Sequence, residues 1–308
     1  MARDYSDIAQ KGAKGHSKPE VISNPEESKP KQRLDENGRN TSFLVPQNEY
    51  SKIEHVIAVM SGKGGVGKSM VTAALANSLA DQGYRVGIMD ADITGPSIPK
   101  MYVLTGPVDI MPITGERQLM MPEMTENGIS VISLNVIMPD PEQAVIWRGP
   151  IIAGVVKQFW TDVVWGQLDY LLVDMPPGTG DVPLTVFQSL PVDGIMVVTS
   201  PQDLVKMIVK KAYNMAEEMK IPVLGVVENY SYMLCPHCGE KIEVFGKSQT
   251  AKAAADLGLP LVGQVPINPG YAEKADEGKF ADVKVEYLDD AVKVLEKLPA
   301  KKNSSDSE

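Results

Sequence analysis

The eight residues Gly62-Lys63-Gly64-Gly65-Val66-Gly67-Lys68-Ser69 constrain this chain more than any other stretch. They fit the spacing G-x-x-x-x-G-K-[ST], follow an apolar run at 56–60 and open an apolar-periodic segment at 68–82. Glycines at this density let successive backbone N–H groups converge on one anion, and the start of a helix adds a favourable dipole. The reading is a phosphate-binding loop in which residues 62–70, Met70 included, contact a nucleotide such as ATP. Lys68 is expected to reach its β- and γ-phosphates and the Ser69 hydroxyl to ligate magnesium. A chance match in a glycine-rich turn would need neither the strand before the loop nor the helix after it.

The residues downstream extend that strand–loop–helix rhythm. Short runs at 56–60, 86–90, 129–134, 170–174, 194–199, 223–227 and 261–265 read as strands, several of them apolar throughout, as strands buried on both faces are. Helical spacing marks 68–82, 150–165, 204–219, 247–257 and 287–298. The alternation predicts an α/β fold in three layers, a mostly parallel sheet with helices on both faces. One domain is expected over 51–300. Residues 1–50 and 301–308 are polar, lack a persistent period and read as disordered tails.

Composition narrows the partners. A formal net charge of −10 argues against a general affinity for nucleic acid or anionic membrane. No apolar run reaches the roughly 18–20 residues that a membrane span needs, and the first residues lack the apolar core of a signal peptide. The cytoplasm is the expected compartment.

Acidic residues close two of the expected strands. Asp90 and Asp92 end the run Ile88-Met89-Asp90-Ala91-Asp92, and Asp174 ends Leu171-Leu172-Val173-Asp174. Strand C-termini of such sheets face the ligand crevice. There one carboxylate of Asp90 and Asp92 can hold magnesium through water and the other can orient an attacking water, and Asp174 can approach the ion through its water shell. Met175-Pro176-Pro177-Gly178-Thr179-Gly180-Asp181 follows directly and reads as a γ-phosphate-sensing switch, with Gly178 offering its N–H. Pro176 and Pro177 stiffen its base. Capping aspartates and a simple Pro-Gly turn are the competing readings.

The two cysteines of the chain, Cys235 and Cys238, form the element Cys235-Pro236-His237-Cys238. Two thiolates at this spacing can clamp one side of a metal or cluster, whereas zinc and iron–sulfur sites usually take four ligands. Either His237 and a distant acid complete a site within the chain, or a two-fold dimer brings two pairs together. A redox-active pair or a structural zinc clamp is equally compatible with the motif alone.

Lys63, directly after the first glycine, resembles the signature of the deviant phosphate-loop ATPases, which include MinD, ParA, the nitrogenase iron protein and the Mrp-type carriers. In that group the matching lysine reaches the nucleotide of the partner subunit, which implies a nucleotide-dependent homodimer here. The resemblance extends through Asp90-Ala91-Asp92-Ile93-Thr94-Gly95-Pro96-Ser97-Ile98-Pro99, Trp147-Arg148-Gly149-Pro150, Asp174 to Asp181, Ser200-Pro201-Gln202-Asp203 and Val227-Glu228-Asn229 to Cys238. In this order, over about residues 53–280, these motifs are similar to Mrp/ApbC-type proteins, relatives of the Nbp/Cfd scaffold ATPases. The resemblance implies Asp90 near the magnesium, Asp92 as the catalytic carboxylate and Asn229 as a reader of the adenine edge. It also implies that Cys235 and Cys238, contributed by each of two subunits, bridge a 4Fe–4S cluster destined for apo iron–sulfur proteins. Trp147 is expected to pack. The usual Asn-Met-Ser-Tyr before the cysteines reads Asn229-Tyr230-Ser231-Tyr232, and the N-terminal cysteine cluster of eukaryotic Nbp relatives has no match in this sequence. The competing function is a MinD- or ParA-type positioning ATPase without a cluster. Such proteins need a basic amphipathic last helix or a basic surface, while the segment around Glu286-Tyr287-Leu288-Asp289-Asp290 starts acidic.

Overall fold

The computed structural model describes residues 33–35, 37–92, 97–112, 118–133, 149–201 and 205–301. The motif residues Ile93–Pro96, Trp147, Arg148, Gln202 and Asp203 lie outside the described residues, as do 1–32 and 302–308.

In chain order the elements are β1 (Ser51–Ser61), α1 (Lys68–Asp81), β2 (Val86–Asp90), α2 (Ile98–Met101), β3 (Ile110–Pro112), β4 (Gln118–Met120), β5 (Glu123–Met124) and β6 (Ser130–Ser133). There follow α3 (Gly149–Thr161), β7 (Gly166–Asp174), α4 (Asp181–Ser189), β8 (Gly194–Thr199), α5 (Val205–Met219), β9 (Val223–Glu228), β10 (Met233–Leu234) and β11 (Lys241–Ile242). The chain closes with α6 (Thr250–Ala255), β12 (Leu261–Gln264), α7 (Pro269–Asp276) and α8 (Asp289–Glu296).

The main sheet runs β12-β9-β8-β1-β7-β2-β6-β5, and every pair in it is parallel except β5 with β6. The apolar runs of the sequence are continuous because this sheet is covered on both faces. Along β1, Val56, Ala58 and Met60 face the layer of α3, α4, α5 and α6, while Ile57 and Val59 face the layer of α1, α2 and α8. Alanines 73, 74 and 76 of α1 are fully buried, so this helix lies close against the sheet centre.

β1 sits between β7 and β8. The chain leaves β1 through α1 to reach β2 on one side, and later leaves β7 through α4 to reach β8 on the other. Such a switch point leaves a crevice beyond the strand C-termini, and the glycine loop after β1 occupies it.

β2 and β8 coincide with their sequence-predicted spans, and the other expected strands and helices are present with shifted ends. Helix α4 was not expected: Pro183 stands in its first turn, where proline is tolerated. The last helix commits Ala291, Val292 and Leu295 to the core, so its apolar face is not free to meet a membrane. No helix among the described residues is long and apolar enough to cross one.

The polar segment expected to be disordered through residue 50 is docked from Arg33 onward. The buried Arg39 guanidinium donates to the carbonyls of Phe187 and Leu190 at 2.6 Å and of Val192 at 2.9 Å. Asn48 Nδ2 donates to Thr161 O and Val163 O, and Trp160 Nε1 donates to Val45 O. Buried polar contacts to main-chain carbonyls thus dock a segment poor in apolar residues, and Val45 adds packing against the core. Lys301, expected in the other tail, likewise pairs with Asp193 at 2.7 Å.

Candidate functional site

Helix α1 begins without a side-chain cap: Gly67 precedes it in a left-handed conformation, φ 75°. Its first N–H groups therefore lack intrahelical partners and are available to an anion. A Cβ on Gly67 would fall 2.2 Å from Asn229 Nδ2, so both the conformation and the close packing demand glycine. The loop, with Lys68, Ser69 and Met70, lines a cavity of about 390 Å³ together with Asp92, Pro177, Tyr230, Pro266, Asn268 and Tyr271.

Strand register sets the acids. Asp90 on β2 pairs in register with Asp174 on β7, so the two carboxylates stand side by side at the sheet's C-terminal edge. Asp174 accepts from Ser69 Oγ at 2.5 Å and Thr72 Oγ1 at 2.8 Å, and its Oδ1 lies 2.8 Å from the Lys68 ammonium. Asp90 accepts from Ser133 Oγ at 3.0 Å and from the Asp92 N–H at 3.1 Å. Burial, and next the neighbouring Asp174 charge, push the Asp90 carboxyl well above the usual carboxylate range. Asp92 lines the cavity with its Oδ2 3.6 Å from Lys68 Nζ.

Ser69, Asp90 and Asp174 thus offer oxygen donors of the kind that magnesium would take. Gly178, φ 88°, donates its N–H to Ser61 O at 2.8 Å, which ties the 175–181 segment to the end of β1. Lys63 is half-buried at the start of the loop, just before the exposed turn at Gly64 and Gly65.

Asn229, the expected reader of the adenine edge, sits beneath the loop. It is fully buried under the loop, where Nδ2 donates to Val66 O at 2.9 Å, and it does not line the cavity. Tyr230, Asn268 and Tyr271 line it instead, and the sequence reading had assigned them no role. Thr72 was missed too, although its spacing of four from Lys68 places it one helical turn on, above the same acids.

The cysteines lie apart from this cavity, in the turn of the antiparallel hairpin β10–β11. Cys235 N–H donates to Glu240 O and Gly239 N–H to Cys235 O, both at 2.9 Å, so the turn is tightly closed. Cys235 is half-buried and Cys238 exposed, and both are free thiols. The amides of Cys238 and His237 point at the Cys235 sulfur and hold its thiol below the ordinary value, with the Cys238 side chain adding to the effect. Among the described residues no three Cys, His, Asp or Glu side chains converge as a metal site, so completion of the thiol pair by His237 and an acid of the same chain finds no counterpart. Leu234, Ile242, Val244 and Phe245 stand exposed along the hairpin and just after it.

Comparison with known proteins bears on both sites. The family model for the NUBPL iron-transfer P-loop NTPases of the ParA group matches residues 52–300. An iron–sulfur cluster carrier protein of Clostridium perfringens is 48% identical over 233 residues, 75% of this chain and 82% of the relative. Another, from Methanocaldococcus jannaschii, is 43% identical over 258 residues, 82% of this chain and 88% of the relative. Among solved structures, a nucleotide-binding protein from Archaeoglobus fulgidus in complex with ADP is similar at 39% identity and a TM-score of 0.68, covering 81% of this chain and 93% of its own. The cell-division ATPase MinD of Pyrococcus furiosus shares the fold at 20% identity and a TM-score of 0.52, over 79% of this chain and 97% of its own.

Proposed function

Because this chain belongs to the NUBPL iron-transfer P-loop NTPase family, we propose that it is a magnesium-dependent ATPase that carries a 4Fe–4S cluster between two copies of itself and delivers it to apo iron–sulfur proteins. The observation that carries the cargo assignment is the hairpin turn. It presents two free thiols, one of them lowered toward thiolate by backbone amides, amid exposed apolar side chains and without a third ligand nearby among the described residues. Half of a four-thiolate site on an apolar face is completed by a second copy.

At the other site, Lys68 and the α1 N-terminus bind the phosphates. Magnesium, when bound, supplies charge neutralisation at the β- and γ-oxygens. Ser69 and Asp174 orient toward it, Asp90 supports them, and Asp92 positions the attacking water. Lys63 extends to the nucleotide of the second copy, and the Gly178 switch moves with the γ-phosphate. Hydrolysis would then open the dimer that shares the cluster.

Anaerobic reconstitution with iron and sulfide tests the cargo assignment. The wild-type protein is expected to gain the broad visible absorption of a cluster with about four irons per dimer. Cys235→Ser and Cys238→Ser should each lose it. Uptake of a normal cluster by the double variant, or zinc in place of iron in protein purified without oxygen, would overturn it.

A further inference from the structure

The cysteine hairpin and the phosphate loop are joined through one buried carboxylate. Glu228 ends β9 and is fully buried, and its hydrogen-bond partners among the described residues are two hydroxyls and an amide. Its Oε1 accepts from Ser231 Oγ at 2.5 Å and from Gln264 Nε2 at 3.2 Å, while its Oε2 accepts from Ser248 Oγ. Ser231 precedes the cysteines and Ser248 follows them, so Glu228 fastens both ends of the excursion that carries Cys235 and Cys238.

The next residue, Asn229, holds the phosphate loop through Val66 O. Between Asn229 and Ser231 the chain turns on Tyr230, which adopts φ 56°. That is a left-handed conformation costing a non-glycine residue about 1–2 kcal/mol. Tyr230 also lines the nucleotide cavity. Residues 228–231 therefore touch the loop, the cavity and both roots of the hairpin within one strained turn. A buried carboxyl group keeps its place only while the groups that hydrogen-bond to it stay in place.

We infer that Glu228 is a positioning residue that couples nucleotide occupancy of the loop to the geometry of the thiol pair. When the loop closes on phosphate, displacement of Val66 is passed through Asn229 and Tyr230 to Glu228, whose hydroxyl partners shift the roots of the hairpin. The inference rests on the reading of the thiols as the cluster-holding end, yet it concerns their position and is measurable without a cluster.

The test is the alkylation rate of Cys235 and Cys238 in the full-length, reduced, cluster-free protein, with and without Mg-ADP. The diphosphate is chosen so that γ-phosphate-driven dimerisation does not shield the thiols. In wild-type protein ADP should change the rate about five-fold or more, the low end of a site-to-site coupling. In Glu228→Gln the ratio should fall to one although ADP still binds. Ser248→Ala, which removes one anchor at a half-buried position, should lower the ratio partway and serves if Glu228→Gln does not fold. A wild-type ratio of one, or a ratio unchanged in both variants, overturns the inference. Iron–sulfur reconstitution of the same proteins is scored separately: failure of wild type to take up a cluster removes the cargo reading and leaves the alkylation ratios standing.

Discussion

The Lys68 ammonium lies 2.8 Å from Asp174 Oδ1 with both side chains buried, and the same carboxylate receives the hydroxyls of Ser69 and Thr72. The lysine at the end of the glycine loop is thus prepaired with an acid of the adjacent strand. Removing one member of a buried pair leaves an uncompensated charge, so Asp174→Ala should destabilise the nucleotide-free protein by about 3–5 kcal/mol. Urea denaturation measures this. The Lys68→Met, Asp174→Ala double variant should be more stable than Asp174→Ala alone, because no orphan charge remains. An additive double variant would show that the pair is not energetically coupled.

Asp90 makes the opposite prediction. Its carboxyl is raised by burial and by Asp174, so the folded state holds this proton more tightly than the unfolded chain does. Stability from this group is therefore greatest in acid, below the ordinary value of 3.8, and is lost as the pH climbs toward the raised folded-state value. Asp90→Asn removes the charge that burial penalises. Its urea midpoint at neutral pH should exceed that of wild type, and its pH–stability curve should be flatter above the ordinary carboxylate range. The same variant should weaken the magnesium dependence of ATP hydrolysis. A lower midpoint at neutral pH would show that the Ser133 and Asp92 hydrogen bonds outweigh the desolvation.

These acids were legible in the sequence because each ends an apolar run. A parallel sheet covered on both faces writes its strands as continuous hydrophobes, and register then brings Asp90 beside Asp174. What escaped has no local periodicity. The clamp on Glu228 is made by Ser231, Ser248 and Gln264, which meet only through tertiary folding. The direction of Asn229, under the loop to Val66 O, likewise has no local signal, because it depends on the turn at Tyr230. Hairpin β10–β11 has strands of two residues each, too short for alternation to register.

A substitution at Lys63 tests whether binding and catalysis can be separated. Lys63 is half-buried at the start of the loop, and among the described residues no carboxylate pairs with its ammonium. If it serves the nucleotide of a second copy, Lys63→Ala should leave ADP affinity nearly unchanged. ATP-induced dimerisation followed by light scattering should be lost, and the hydrolysis rate should drop on the order of 10³-fold, as when a cation supplied in trans is removed. Lys68→Ala, by contrast, should lose nucleotide binding itself. Loss of ADP affinity in Lys63→Ala would place its role within a single chain.

Arg39 tests whether the docked N-terminal segment belongs to the folded unit. Helix α4 starts at Asp181 and ends at Ser189, where its last carbonyls run out of intrahelical donors. Arg39 supplies them from far along the chain, donating to Phe187, Leu190 and Val192. Asp35 shapes the turn that delivers it, accepting the amides of Asn37 and Arg39. Burial lowers the Arg39 pKa, partly offset by Asp35 and Asp193, but a guanidinium keeps its proton throughout the neutral range. Hydrogen bonds to a charged group contribute about 1.5–3 kcal/mol each and are not additive, so Arg39→Ala should cost about 3 kcal/mol in urea denaturation. Arg39→Lys should recover less than half, since an ammonium on a flexible stem lacks the planar fork that reaches three carbonyls at once. An Arg39→Ala midpoint equal to that of wild type would mean that the segment contributes nothing to the stability of the domain.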